Sequence, residues 1–475
     1  MKTSQETAVT LSPEENSECR DASETFPESA VTLSPDAFYD SDRKEFLIQN
    51  KHERWLPLNE TQFKRWLRQQ GISTTKTEGS MLSPAEEVLL EIMDDRDVRY
   101  ANPLAGRQTG FYSENGVRFL VTDSPHIIKP ADGSWETLMA LIEGLLLRSE
   151  PTHGEQQLST FYGWLKLSHQ ALVSGKIQPG QTVAIAGARD CGKSLLQNLI
   201  TEMIGGRSAK PHAFMTGRTD FNAELFEAEH LMLEDEFMGT AIKERLAFGA
   251  QIKAMTVNQI HACHGKHRKP VNLRPFWRVT ITLNDDPECL LVLPPLNADI
   301  SDKIIILRAS RFQMPMPTTT ADEKERFWKT MVAEIPAFLH FLDQWEIPEE
   351  LQCRRFGIAG FKHPELVQSL EELSPQEQLL SMIERALWKG VEEEWEGTAE
   401  ELRELLQDDS GTRYDAQKLL NYAQTCGWYL GRLQERYPRQ FIPMRTNRKR
   451  WWKICKHDAE PEDESGITNH DEFEF

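Results

Sequence analysis

The sequence predicts an α/β protein built on a parallel sheet that carries a phosphate-binding loop, and three stretches predict it. QTVAIAGARDCGKSLL (181–196) is an apolar run ending at Gly187, followed by four residues and then Gly192, Lys193 and Ser194. HLMLEDE (230–236) is a second apolar run that ends on acids, and FWRVTITLNDDPE (276–288) is a third, alternating one that ends on Asn284. Buried parallel strands read as such short apolar runs, with helices between them.

The remaining elements follow in chain order. Residues 1–37 are rich in Ser, Thr, Glu and Pro and hold a near-repeat, ETAVTLSP and ESAVTLSP. Too few apolar residues are present to offset the entropy of ordering, so an acidic disordered tail is expected. FYDSDRKEFLIQNKHERWLPLN reads as two short strands, and ETQFKRWLRQQG as an amphipathic helix capped by Asn59 and ended by Gly71. A helix from Pro84 to Met93 follows Ser83, and GFYSENGVRFLVT reads as a hairpin about Glu114, Asn115 and Gly116. Asp94, Asp95 and Asp97 lack a flanking strand and read as a solvated helix end. Helical periodicity covers 134–174. These readings set an N-terminal α/β accessory domain at 38–130 and a helical segment at 131–178.

The bulk numbers limit the function classes. The chain has 475 residues and a net charge of −20, which taken as a whole weighs against a polyanionic partner. The distribution says otherwise: residues 1–36 and 457–475 together hold 14 of the excess negative charges, whereas Arg432 to Lys456 carries nine basic residues against Glu435 alone. Seven scattered cysteines without a C-x-x-C pair argue against a disulfide framework or a cysteine zinc finger. No apolar run is long enough to cross a bilayer and the N-terminus lacks a signal-type core, so a cytoplasmic protein without a membrane partner is expected.

The three opening stretches carry chemistry. Gly187, Ala188, Arg189, Asp190, Cys191, Gly192, Lys193, Ser194 and Leu195 form a complete P-loop between a strand and a helix. Glycines let successive backbone N–H groups curl round phosphates at a helix N-terminus. Lys193 is expected to reach the β and γ phosphates of ATP, and Ser194 to hold Mg²⁺. Asp235 is expected to act on Mg²⁺ through water and Glu236 to polarise the attacking water. Asn284, at the end of the third strand, suits orienting that water. A fourth apolar strand, ISDKIIILRASRF, is flanked by Lys303, Arg308 and Arg311.

Together, the P-loop, the acids about forty residues on and the asparagine about fifty further resemble the superfamily 3 helicases, compact ring-forming AAA+ ATPases. The closer likeness is to the helicase part of phage and plasmid primase-polymerases, carried by AEHLMLEDE, PFWRVTITLNDDPE, LVLPPLNADISDK and the basic C-terminal segment. It covers roughly 130–456 and, less specifically, 38–130. The resemblance implies an AAA+ core at 179–315, a helical collar before it, and a homo-hexameric ring acting on single-stranded DNA. It also implies that 253–274, KAMTVNQIHACHGKHRKPVNLR, is a channel hairpin in which Lys266 and His267 match a DNA-contacting Lys–His pair and Arg268 adds charge. A zinc site from His261, Cys263, His264 and His267 competes, although hairpin alternation would send these side chains to opposite faces. Two departures stand out. Lys303 occupies the place of the arginine that reaches a neighbour's γ-phosphate, leaving Lys303, Arg308 or Arg311 as the cationic finger. No primase carboxylate pair lies in 1–130, so primase or polymerase activity is expected from a separate chain.

A helical connector is expected at 316–372 and a winged helix at 373–456. SPQEQLLSMIERALWKGVEEEW and TAEELRELLQ start with Ser and Thr caps, AQKLLNYAQTCGWYLGRLQERYP follows, and QFIPMRTNRKRWWKIC reads as a hairpin with NRK at its turn. Arg432 and Arg436 lie one helical turn apart, and Arg445, Arg448, Lys449 and Arg450 fall on the wing, so forked or duplex DNA is the expected partner, with protein docking as the competing use. Of Trp451 and Trp452, one is expected in the core. The acidic tail 457–475 receives no function. The overall expectation is an ATP-dependent DNA helicase; its alternative is an ATP-switched DNA-binding or loading factor without processive unwinding.

Overall fold

A computed structural model of the chain describes residues 36–148, 150–234, 242–296, 298–372, 374–389, 393–445 and 450–456. The described residues divide into two compact units, one comprising residues 36–39 and 45–96, the other 40–44 and 97–456.

The first unit contains strands β1 (Ala37–Asp40), β2 (Glu45–Gln49) and β3 (Trp55–Leu58) in the order β3-β2-β1, then helices α1 (Glu60–Gln69) and α2 (Pro84–Asp95). Asn59 and Ser83 close capping boxes with Gln62 and Glu86, which satisfies the first helical N–H groups. The core is Phe46, Ile48, Phe63, Leu67, Leu89 and Ile92, with Phe46 and Phe63 stacked at 4.3 Å. This unit ends at Arg96, so the segment 97–130, expected with the accessory domain, belongs to the second unit.

In the second unit, β4 (Asp97–Val98) is followed by β5 (Tyr100–Asn102), β6 (Gly110–Glu114) and β7 (Val117–Val121), the last two joined by the expected Asn115–Gly116 turn. Asp97 is ion-paired with Arg118, and no His, Cys, Asp and Glu cluster suited to a metal exists among the described residues. Helices α3 (Glu136–Leu146) and α4 (Gly154–Val173) lead to β8 (Thr182–Gly187) and α5 (Lys193–Met203). Next come β9 (Ser208–Ala209), α6 (His212–Met215), α7 (Ala223–Phe226), β10 (His230–Glu234) and α8 (Ile242–Val257). The hairpin β11 (His261–Cys263) and β12 (Val271–Leu273) precedes β13 (Arg278–Asn284), α9 (Pro287–Leu290), α10 (Ala298–Ser301) and β14 (Ile304–Ala309).

The central sheet has the order β14-β8-β13-β10-β9 and is parallel throughout. Its strands alternate between two cores. Val183, Ile185, Ile305 and Leu307 face α3, α4, α5 and the long helix α11 (Ala321–Gln344). Ala184, Ala186, Ile304 and Ile306 face α8, the hairpin and the β5–β7 segment. Coverage on both faces explains why these strands read as unbroken apolar runs.

After α11, β15 (Gln352–Cys353) and β16 (Gly357–Ile358) form a small ribbon and α12 (Pro364–Glu372) leads to the C-terminal part. This comprises α13 (Pro375–Leu387), β17 (Glu394–Gly397), α14 (Ala399–Asp408), α15 (Arg413–Leu419), α16 (Ala423–Arg436), β18 (Phe441–Arg445) and β19 (Arg450–Cys455). Its antiparallel sheet runs β17-β19-β18, and Trp452 is the tryptophan that enters the core. Two expectations are corrected. Residues 394–397 are a strand and not the end of a helix, because Trp395 pairs with Ile454 across the sheet. The stretch AQKLLNYAQTCGWYLGRLQERYP, read as the third helix of the winged helix, is broken at Leu420 into α15 and α16. No helix among the described residues is long and apolar enough to cross a membrane.

Candidate functional site

The P-loop lies where the sheet brings the C-terminal ends of its central strands together. Gly187 closes β8, and a Cβ there would stand 2.1 Å from the Ala309 carbonyl oxygen, so β14 can lie this close only against glycine. The loop then turns through two left-handed residues, Asp190 (φ 59°) and Gly192 (φ 111°). Gly192 is the N-cap of α5, and no side chain caps that helix, so its first N–H groups face the cleft. Lys193 is only 6% exposed, and its Nζ donates to the Gly187 and Ala188 carbonyls, 2.9 Å each. Ser194 is exposed at the mouth. Burial raises the Cys191 thiol above its ordinary range, which fits a packing role.

The cleft over this loop has a volume of about 570 Å³, and Arg189, Asp190, Lys193, Ser194, Asn284 and Lys324 are among its lining residues. Its uncapped helix start, exposed hydroxyl and adjacent ammonium fit a nucleotide's phosphates with their Mg²⁺. Asn284 is the register partner of Gly187, and its Oδ1 is buried without a hydrogen-bond partner among the described residues. Such an orphaned acceptor at the rim of a phosphate site points to a ligand or a water. On the next strand, Glu234 is level with Thr282 and forms an ion pair with Lys210 at 2.6 Å. Asp235 and Glu236 fall outside the described residues.

Below the loop lies a polar network that the sequence reading missed. Gln197 of α5 donates through Nε2 to the Thr280 hydroxyl at 2.7 Å. The same hydroxyl is 2.7 Å from His230 Nε2, and His230 Nδ1 is 2.7 Å from the Thr201 hydroxyl. Burial drives the His230 pKa down to about 3, so the ring is neutral. These bonds tie the P-loop helix to β10 and β13, the strands whose ends carry the acids and Asn284. The available signal was a set of polar residues, His230, Thr280 and Thr282, interrupting otherwise apolar strands.

The candidate cationic fingers are engaged within the chain. Lys303 is 4% exposed and holds Asp302 at 2.5 Å, while Asp302 also binds Arg355. It precedes β14 at the end of the sheet away from Gly187. A buried, paired ammonium reaches another subunit only by giving up that pair. Arg308 pairs with Glu365 and, at 3.3 Å, with Glu150, which also meets His363. Arg311 is exposed and donates to the Arg189 carbonyl at 3.0 Å, at the P-loop rim.

The hairpin exists but is shorter than expected: residues 253–257 belong to α8, and each strand has three residues. Asn222 pins it, its Nδ2 donating to the Ala262 carbonyl (3.0 Å) and its Oδ1 accepting from the His264 N–H (2.7 Å). Lys266 and His267 are exposed at the turn, His267 in the left-handed region (φ 61°). The Arg268 side chain is only 15% exposed and lies 3.6 Å from the buried Asp40 carboxylate, so it is not a free tip residue. The competing zinc reading loses its ligands. His261 Nε2 is 3.0 Å from the Asn258 carbonyl, and burial pushes the Cys263 thiol up to about 12.

In the C-terminal part, Arg436 is paired with Glu371 (2.7 Å) and Glu377 (3.2 Å). Arg432 lies over the Trp428 ring at 4.2 Å and Arg450 over Trp452 at 5.0 Å. Arg448 and Lys449 fall outside the described residues.

Known proteins are similar to this chain in fold only. No family model matches the sequence, and no curated protein does. Among solved structures, the apo A form of the NrS-1 C-terminal region aligns with a TM-score of 0.51 at 13% identity, covering 88% of this chain and 96% of that one. A second apo structure of that region, residues 305–718, gives 0.50 at 12% identity over 88% and 95%. A structure described as the active helicase Cch of SCCmec type IV aligns at 0.28 and 11% identity, covering 84% of this chain and 69% of that one.

Proposed function

We propose that this protein is an ATP-dependent DNA helicase of superfamily 3 type, with an AAA+ core, a helical collar formed by α3 and α4, and a C-terminal winged helix. The observation that carries the reading is Asn284, whose buried, unpartnered amide oxygen sits level with Gly187 at the rim of a P-loop cleft. A small-molecule kinase has no need of that residue together with an exposed basic hairpin in the same unit.

In this reading the uncapped start of α5 and the loop N–H groups bind the triphosphate. Lys193 exchanges its two carbonyl partners for phosphate oxygens, trading neutral acceptors for charge-assisted bonds. Ser194 and Asp235 would hold Mg²⁺, which would supply charge neutralisation at the phosphates. Glu236 takes a proton from the attacking water, and Asn284 orients it. The Gln197–Thr280–His230 network keeps α5 in register with β10 and β13, so a shift at the phosphates reaches the strand that follows the hairpin. Lys266 and His267 contact single-stranded DNA, Arg432, Arg450, Arg448 and Lys449 meet the fork, and subunits assemble as a hexameric ring in a phage- or plasmid-like replication setting, with a primase or polymerase as a further partner. The cytoplasm is the expected location.

The pairing of Lys303 and Arg308 within the chain, which leaves Arg311 as the exposed candidate finger, supports a second reading, an ATP-switched DNA-binding or loading factor, because a site without a cation from its neighbour turns over slowly. Strand displacement on a forked duplex separates the two. As a helicase, the wild type unwinds, Lys193→Ala loses ATPase and unwinding, and Lys266→Ala keeps ATPase but loses unwinding. DNA-stimulated ATPase without unwinding by the wild type selects the switch, and full unwinding by Lys266→Ala removes the hairpin assignment.

A further inference from the structure

The root of the hairpin encloses a cavity of about 200 Å³ lined by Arg43, Arg99, Lys266, Arg268 and Lys269, together with uncharged residues that include Asn102. Five cations face one concavity, and no carboxylate lines it. Two acids stand behind it: Asp40, buried, 3.6 Å from Arg268 and 3.8 Å from Arg43, and Glu227, which bonds Asn102 and attracts Arg43. Two carboxylates cannot neutralise five like charges. Arg99, Lys266 and Lys269 form no ion pair with another described residue, and Arg268 Nη2 is buried without a hydrogen-bond acceptor. Mutual repulsion and an orphaned guanidinium nitrogen both disfavour leaving the cavity to water alone.

We propose that this cavity is a second phosphate-binding site, which takes a backbone phosphate of the same single DNA strand that Lys266 contacts at the hairpin turn. The inference rests on the assignment of Lys266 to DNA. Lys266 belongs to both features, so a strand touching the turn runs directly past the cavity. Arg43 and Arg268 supply planar forks and Lys269 a point charge, a set that surrounds a tetrahedral oxyanion from several sides. Arg43 is also oriented by Asn102, whose Oδ1 lies 3.4 Å from Nη2. The hairpin would then hold the backbone at its turn and at its root, and Asn222, which pins the hairpin, would fix the spacing between the two grips.

The test is fluorescence anisotropy of a labelled oligothymidylate with the full-length wild type, Lys266→Ala and the double variant Arg99→Ala/Lys269→Ala, over a salt series. Arg99 and Lys269 are exposed and lie outside the nucleotide cleft, so ATP hydrolysis without DNA reports that the double variant is folded. The proposal predicts that the double variant binds roughly tenfold more weakly and that the slope of log affinity against log salt falls by about 0.7, one phosphate contact on a single strand. Wild-type affinity and slope in the double variant, with Lys266→Ala weakened, would overturn the cavity and leave the hairpin assignment standing. A wild type that does not bind the oligonucleotide would overturn both. A double variant that keeps DNA affinity but loses affinity for a peptide of residues 457–475 would assign the cavity to an acidic protein segment and overturn the phosphate site.

Discussion

Thr280→Val removes one hydroxyl and preserves side-chain shape, which makes it a sharp probe of the network under the P-loop. The hydroxyl serves both Gln197 Nε2 and His230 Nε2 at 2.7 Å. Without it His230 Nε2 loses its partner, whereas Gln197 keeps only the longer bonds to the Leu233 and Thr280 carbonyls at 3.4 and 3.3 Å. A buried polar group left unsatisfied costs about 1–3 kcal/mol, so one full loss and one partial loss give a destabilisation of roughly 2–4 kcal/mol. Thr282→Val is the matched control, because its hydroxyl has only the marginal contacts to Gln197 Oε1 at 3.4 Å and the Leu233 carbonyl at 3.5 Å, and it should cost under about 1 kcal/mol. Hydrogen exchange read on peptides covering α5 and β13 measures the local opening energy without assuming that the whole chain unfolds in one step. Equal protection loss in the two variants would refute the network as a structural tie.

Three further outcomes are expected. Gly187→Ala forces a Cβ to 2.1 Å from the Ala309 oxygen and must displace the end of β14, lowering stability by about 1–3 kcal/mol and weakening nucleotide binding, as read by thermal unfolding with and without an ATP analogue. Folded His230 stays neutral down to about pH 3, while the unfolded ring protonates near 6.5. Stability present above pH 6.5 is therefore lost as pH falls towards 3, by up to about 1.4 kcal/mol per unit. His230→Gln should flatten that part of the urea-unfolding profile, and an unchanged slope contradicts the assignment. Asn222→Ala frees the hairpin from two bonds and should weaken oligonucleotide binding several-fold while leaving ATP hydrolysis intact, with unchanged affinity counting against the clip.

Much of the ATPase-like core was legible because its strands are buried on both faces and its loop obeys a backbone rule. TVAIAG and RVTITL are apolar runs of strand length, and a P-loop needs its glycines where Gly187 and Gly192 stand. The caps at Asn59, Ser83, Ser374 and Thr398 were legible for the same reason, since they are local. What escaped depends on partners distant in sequence. Glu394 to Gly397 becomes a strand only through pairing with β19, more than fifty residues away. Arg436 reads as a free cation until the fold brings Glu371 and Glu377 to it. The resemblance places KAMTV in the hairpin, yet Phe248, Ile252 and Met255 set α8 against the sheet and carry the helix through to Val257.

The central claim is that the cleft between Gly187 and Asn284 hydrolyses ATP with Mg²⁺. Steady-state phosphate release from the wild type, Lys193→Ala and Asn284→Ala, with and without single-stranded DNA, tests it most directly. Loss of one positioned polar group in such a site costs on the order of 10²–10³ in rate. The account predicts turnover by the wild type, background rates for Lys193→Ala, and an Asn284→Ala variant that still binds ATP but hydrolyses it more slowly by about that factor. Wild-type turnover in Lys193→Ala, or no hydrolysis by the wild type in the presence of Mg²⁺ and DNA, would contradict it.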